Sequence, residues 1–408
     1  KGKEMTLRNL TQYGPIEKTP MEINTDKKSV LKILHIGVHN SANLNAGDTL
    51  LFPIVRKLFD SLLGPFDWEL KQAWEELTLS EVERVNAKFD GIVLGGGGLI
   101  LSNQEGSDIS NSGWQWNSTV KAVQSIEIPL IVFAIGYNRF RNQSDFSAVF
   151  SQHINNVIAK SSFFGLRNYG SISKLSDYVK THNIKRQFCP TTVLWQLYPE
   201  FRKLAKEHDK LNVKNLAVNI AFDRSHLRFK GEMDEILIRI SCAMKKAQTR
   251  GWKIVVVSHK TLDRGVESYL DSEKVDYDSV DLTEAGPNEI MRFYSQTDFV
   301  VGMRGHSQMI PFGLRRPIMS IISHDKMKYF LDDINRREWG VEINSHKIVE
   351  EIDSFLDDLE KNREVLRESI KDAQEFVWEE TLSNMQEIGF KNFGIKSIKS
   401  EINGVDNE

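Results

Sequence analysis

The sequence predicts an α/β protein of two doubly wound, Rossmann-like domains facing a cleft, followed by a C-terminal helical segment. Three observations predict it. The chain has 408 residues, more than one ordinary core accommodates. Two successive series of short apolar runs, each closed by turn residues, alternate with amphipathic stretches. A polar, charged segment separates the two series.

The first series comprises VLKILHIGV (30–38), DGIVLGGGG (90–98), IPLIVFAIG (128–136) and KSSFFGLR (160–167). The second comprises NLAVNIAF (215–222), GWKIVVVSH (251–259), TDFVVGMR (297–304) and RPIMSIIS (316–323). Runs this short and this apolar suit strands buried on both faces, and the helical patterns between them, such as EILIRISCAMKKAQTRG, supply the crossovers of parallel sheets. The segment YPEFRKLAKEHDKLNVK reads as the link between domains, giving a first domain over 1–200 and a second over 201–346. From 347 to 408 the chain is acidic with helical spacing, as in EEIDSFLDDLEKNREVL, and is expected to pack across both domains.

Composition narrows the function. A net charge of −3 gives no general attraction to nucleic acid or anionic lipid, so any basic site must be local. The two cysteines, Cys189 and Cys242, lack metal-ligand spacing and read as buried thiols of a reducing compartment. No apolar run is long enough for a membrane span, and the polar start KGKEMTLRNL has no signal-peptide core. A cytoplasmic location follows as the expectation, or one peripheral to the membrane where glycan precursors are assembled. The chain does not begin with Met, so its true N-terminus can lie upstream.

Several strand ends carry groups that packing alone does not require. Asn45-Ala46-Gly47-Asp48 precedes an amphipathic helix; Asp48 is either a helix cap or a carboxylate placed to accept a hydroxyl proton. The run Gly95-Gly96-Gly97-Gly98 implies close approach to its backbone by a phosphate, a sugar ring or a packed helix. It fits neither G-x-G-x-x-G nor a P-loop. Arg167 ends another apolar run, as do His259 with Asp263, whose spacing alone makes no metal site. Arg304-Gly305-His306 joins a fixed guanidinium fork to a proton-carrying imidazole, which suits an anion that must also be protonated; the alternative is an interdomain salt bridge beside a histidine satisfied by backbone. Trp114 and Trp116 offer either stacking faces for sugars or core packing.

Together these residues resemble the polysaccharide pyruvyl transferase family. The resemblance runs from Asn45-Ala46-Gly47-Asp48 through the glycine run with Leu99, Gly136, Arg167 with Ser171, His259 with Asp263, and Arg304-Gly305-His306 through Pro317 to Lys328, spanning roughly 30–330. It implies a GT-B-like fold and transfer of pyruvyl from phosphoenolpyruvate to two hydroxyls of a sugar as a ketal, as in exopolysaccharide or capsule assembly. It further implies donor binding by Arg167, Arg304 and Lys328, acid catalysis by His306 and a base at Asp48. Asn45, Gly47, Gly95, Gly96, Gly97 and His259 become loop or substrate contacts. Phosphoenolpyruvate is then a co-substrate and the sugar acceptor the other partner; no metal or further cofactor is required, and a homo-oligomer is allowed. The chain departs from the family pattern at Asn168, where Asp is usual, near Cys189-Pro190-Thr191-Thr192, where an Asp is common, and at Pro311 and Arg315, where small residues are usual. Pro311 is expected to shift or kink its helix and Arg315 to add charge near the site. The same fold would also serve a nucleotide-sugar glycosyltransferase or a catalytically silent sugar-binding protein.

Overall fold

The computed structural model describes residues 3–4, 30–39, 45–102, 108–180 and 183–398. The first sheet is built from β2 (Lys32–Gly37), β3 (Asp67–Gln72), β4 (Gly91–Ile100), β5 (Leu130–Tyr137), β6 (Phe163–Leu166) and β7 (Lys185–Arg186). Its order is β3-β2-β4-β5-β6-β7, all parallel. The second sheet joins β1 (Lys3–Glu4) to β8 (Asn215–Asn219), β9 (Lys253–Ser258), β10 (Tyr277–Asp281), β11 (Phe299–Gly302), β12 (Ile318–Ile322) and β13 (Gly340–Glu342). Its order is β1-β10-β9-β8-β11-β12-β13, again all parallel. Each sheet is doubly wound, and strand direction of travel reverses between β2 and β4 in the first and between β8 and β11 in the second. Ligands of open α/β sheets bind at such switch points.

All eight apolar runs form strands. The central ones are buried throughout, as β5 is from Leu130 to Tyr137, because helices cover both faces. Five strands escape the apolar-run criterion. β3 (DWELKQ) is a half-exposed edge strand without such a run, β10 (YDSVD) interleaves acidic residues, and β1, β7 and β13 are only two or three residues long. β1 also crosses the expected boundary, since Lys3–Glu4 pair with β10 of the second sheet.

The link expected between the domains is largely a helix, Pro199–Asp209, whose Phe201, Ala205 and His208 are buried. Proline at its first position starts the helix without losing a hydrogen bond. The tail spans both domains. Its helix Ile348–Lys361 lies on the second: Phe355 stacks on Phe299 at 4.9 Å and Asp353, Asp357 and Glu360 pair with Arg250. The helix Arg363–Phe393 reaches the first domain, where Glu380 pairs with Arg186 and Asn384 donates to the Arg186 carbonyl.

Candidate active site

The C-terminal edges of both sheets converge on a cleft of about 170 Å³, lined among others by Asn45, Asp48, Gly97, Gly98, Arg167, Asp223, Arg228, His259, Arg304, His306 and Lys326. These residues lie in or follow the C-terminal ends of seven strands, β2, β4, β6, β8, β9, β11 and β12, some in the helix that comes next. Asp48, Arg167, Arg304 and His306, drawn from distant parts of the chain, are thus brought together.

His306 sits in the first turn of the helix Gly305–Gly313, and its ring enters a seat on the other domain. A Cβ on Gly47 would lie 2.3 Å from His306 Nδ1, so only glycine admits the imidazole there. Gly47 is therefore a packing requirement for His306, and it does not itself line the cleft. Asn45 caps the helix Ala46–Leu62, its side chain accepting from the Gly47 N–H at 3.0 Å. The cap is Asn45, so Asp48 is not the helix cap; it lies within the first turn on the cleft wall. An interdomain hydrogen bond from Ala46 N–H to the His259 carbonyl, 3.0 Å, fixes this helix start against the second domain.

Burial, aided by Arg167, His259 and Lys326, holds the His306 imidazole well below its ordinary range, so the unliganded ring is neutral. Burial pushes the Asp48 carboxyl up, opposed by Lys260, Lys326, Arg167 and Arg304. His259 is fully buried and drawn down to about 4 by desolvation and Arg304, against Asp263. Its Nε2 meets the Tyr294 hydroxyl at 2.6 Å, while Nδ1 has no hydrogen-bond partner among the described residues.

The two cleft arginines differ. Arg304 gives Nε and Nη2 to Asp263 at 2.8 and 2.5 Å, and Nη2 also meets Asp223 at 2.6 Å. Asp263 is fully buried and further receives Asn219 Nδ2 and the His259 N–H, each at 3.1 Å. The salt bridge weighed for Arg304 is real, but it lies wholly within the second domain. Asp223 is held well below the carboxylate range, because Arg304, Arg228 and Lys260 outweigh the upward push of burial. Arg167, by contrast, is 5% exposed, and its Nη2 has no hydrogen-bond partner among the described residues. Burial lowers its pKa, and only the more distant Cys189 and Asp48 oppose this. Gly136 makes the room: a Cβ there would lie 2.2 Å from Arg167 Nε. Asn168, in place of Asp, caps the helix Tyr169–Leu175 by accepting from the Ser171 N–H at 2.7 Å, a task either residue performs.

The expected lysine is displaced by two positions. Lys328 does not line the cleft, whereas Lys326 does. Both lie on the helix Asp325–Asp333, where two residues turn the side chain about 200° around the axis, to the other face. Lys326 Nζ donates to Asn138 Oδ1 at 3.0 Å, and burial among Arg167 and Arg228 holds its pKa well below the usual range. Asn138 follows β5, so this bond also joins the domains.

The glycine run is not a loop after β4 but part of the strand. Gly95 and Gly96 face protein: a Cβ on Gly95 would lie 2.3 Å from the Phe133 carbonyl, and one on Gly96 3.2 Å from Leu51. Gly97 and Gly98 reach the cleft, and Gly98 accommodates the Asn138 side chain. Close packing therefore accounts for Gly95 and Gly96, which do not line the cleft. Trp114 and Trp116 are fully buried around His153, which removes them as sugar platforms. Pro311 lies inside the helix Gly305–Gly313, beyond its first turn. Arg315 is not near the site; it lines a separate cavity of about 400 Å³ at the opposite edge of the second sheet and lies over the Trp195 ring. Asp223, Arg228 and Asn138 escaped the sequence reading, although each follows a strand and so carries the signal that singled out Arg167 and Arg304.

Comparison with known proteins agrees with this picture. The family model described as polysaccharide pyruvyl transferase matches residues 27–325. No curated protein matched the chain. Among solved structures, UDP-GlcNAc 2-epimerase from Neisseria meningitidis bound to UDP-GlcNAc is similar at 11% identity and a TM-score of 0.50, covering 86% of this chain and 100% of that one. The UDP-GlcNAc 2-epimerase of Methanocaldococcus jannaschii is 12% identical with a TM-score of 0.48, covering 80% of this chain and 91% of that one. The likeness to the Neisseria meningitidis structure concerns the fold alone, two facing doubly wound domains of GT-B type.

Proposed function

Since the chain belongs to the polysaccharide pyruvyl transferase family, we propose that it transfers pyruvyl from phosphoenolpyruvate to two hydroxyls of a sugar, forming a ketal and releasing phosphate. The observation that carries this reading is Arg167, a buried guanidinium with an unpartnered nitrogen at the cleft, beside Lys326 and His306. A buried cation without a partner is costly unless an anion completes it. Phosphoenolpyruvate brings a carboxylate and a phosphate, and Arg167 and Lys326 are our donor-binding pair. Arg304, committed to Asp263, contributes through the nitrogen Nη1, which those bonds leave over.

In the reaction C3 of the donor gains a proton and becomes a methyl group, while C2 is attacked by a sugar hydroxyl. A second hydroxyl then displaces phosphate from C2. One hydroxyl proton replaces the proton given to C3, and the other leaves with the phosphate. His306 is the acid. It is neutral while the site is empty, and the arriving negative charge is what protonates it; an imidazolium whose pKa is depressed by its surroundings is then a strong donor. Asp48 is the base for a sugar hydroxyl, and its raised pKa strengthens it in that role while it remains ionised.

Phosphate release from phosphoenolpyruvate, measured against galactosides, mannosides and glucosides with the product's mass determined, tests the reading. A sugar product heavier by a pyruvyl ketal supports it. Release of a nucleotide from a nucleotide sugar, with phosphoenolpyruvate inert, would replace it by glycosyl transfer.

A further inference from the structure

Cys189 lies at the start of the short turn Pro190–Val193, between the domains, and is 1% exposed. Its Sγ stands 3.8 Å from His306 Nε2 and 3.1 Å from Thr191 Oγ1. The turn is locked against the helix that carries His306, since a Cβ on Gly313 of that helix would lie 1.9 Å from the Thr191 carbonyl oxygen. The Thr192 N–H and hydroxyl both donate to the Cys189 carbonyl, at 2.9 and 2.6 Å. Sulfur and imidazole are therefore held by rigid backbone on both sides. The other ring nitrogen, Nδ1, lies against the Gly47 backbone.

Resting on the pyruvyl transfer reading for its catalytic consequence, we propose that Cys189 is a positioning residue whose S–H donates to His306 Nε2 and so fixes the neutral ring in its Nδ1–H tautomer and in one orientation. A thiol suits the task. Burial pushes the Cys189 pKa up, so it stays protonated and can donate. When His306 takes a second proton the bond reverses, Nε2–H donating to sulfur, a weak acceptor that does not trap the imidazolium. A carboxylate in the same place would hold the ring charged.

The test is nitrogen NMR of the histidine-labelled full chain, with His306 assigned through a His306→Gln variant. The native protein is expected to show His306 as the Nδ1–H tautomer, Cys189→Ala to move it toward the Nε2–H form that free imidazole favours, and Cys189→Ser to restore Nδ1–H. With phosphoenolpyruvate and an accepted sugar, Cys189→Ala is expected to lower kcat about tenfold, the size of one neutral hydrogen bond, with KM for the donor unchanged. A structural role alone would lower the melting temperature and leave the tautomer in place. An Nε2–H tautomer in the native protein, or an unchanged tautomer in Cys189→Ala, overturns the proposal. The spectra read Cys189 even where no sugar is pyruvylated, a result that would count against the function and not against the positioning.

Discussion

The two domains present their arginines in opposite states. Arg304, after β11, is closed by Asp263 and Asp223 of its own domain, whereas Arg167, after β6, has a buried nitrogen that meets no described partner. Both end a strand, both are nearly inaccessible, and both face one cleft, yet only one is electrically complete. Strand-end placement thus identifies the wall of a site, while pairing decides what a residue does there. A guanidinium already satisfied by carboxylates organises a domain; one held without a counter-charge is, on the proposed function, where the donor's anion binds.

The largest effect is expected where the pairing is complete. Arg304→Ala leaves the fully buried Asp263 without its counter-charge and Asp223 with Arg228 alone, and breaking a buried pair in this way costs about 3–5 kcal/mol. Urea unfolding should show that loss, and Asp263→Asn added to Arg304→Ala should recover part of it. An Arg304→Ala protein of native stability would mean that Arg304 is no scaffold and would leave donor binding as its role.

Arg167→Ala should behave oppositely. It removes a buried cation without stranding an anion, so the melting temperature should hold or rise. Affinity for phosphoenolpyruvate should fall by the roughly 1.5–3 kcal/mol of a charge-assisted hydrogen bond, about ten- to more than a hundredfold. Calorimetric titration beside a thermal melt of the same sample reads both. Native donor affinity would leave the unpartnered nitrogen unexplained and withdraw the observation on which the proposed function rests.

The sequence made the scaffold legible because buried parallel strands are written as plain apolar runs, and all eight were visible. It missed β3 and β10, whose acidic and half-exposed residues carry no such signature. The site was legible as a set of strand ends, but three distinctions were not. Whether Arg304 is paired depends on Asp223 and Asp263, which approach it only through tertiary folding. Whether the glycines meet ligand or protein depends on Phe133 and Leu51 from neighbouring elements. Which lysine of the helix Asp325–Asp333 faces the cleft depends on its rotation about its axis, which motif spacing leaves open.

A separate effect follows from protonation. His259 is drawn down to about 4, and His306 well below its ordinary range, so the unfolded chain, titrating near 6.5, binds protons that the fold refuses. Stability is therefore full above pH 6.5 and falls as pH drops from there toward 4, by up to about 1.4 kcal/mol per pH unit for each such group. Phosphoenolpyruvate should oppose this at His306, because its charge favours the imidazolium. Donor binding should then take up protons and tighten from pH 8 to pH 6, which calorimetry in buffers of different ionisation enthalpy measures directly. His306→Ala should abolish the uptake. Arg167→Ala should reduce it, since Arg167 is among the charges that keep His306 neutral and its loss lets the empty ring charge more readily. Proton uptake that persists in His306→Ala would assign it to another group.

The smallest effect expected is also the sharpest check on geometry. Lys326 and Lys328 are two residues apart with the same charge, so removing either changes the net charge equally. Only Lys326 lines the cleft, where its Nζ is held by Asn138. If a ligand is drawn by the overall field of the second domain, Lys326→Gln and Lys328→Gln should weaken phosphoenolpyruvate binding alike, and added salt should erase both losses. If it is held by contact, Lys326→Gln alone should cost a charge-assisted bond, about tenfold or more in affinity, and Lys328→Gln should stay within about 0.5 kcal/mol of the native protein in both titration and melt. Contact is what the structure favours, because Lys326 is buried beside Arg167 and Arg228, where burial and their repulsion lower its pKa and an anion lying against it would offset both. Lys326 then completes on the second domain what Arg167 begins on the first, and Arg304 between them is the frame. Equal losses at 326 and 328 would dissolve that division and return the cleft to a diffuse basic field.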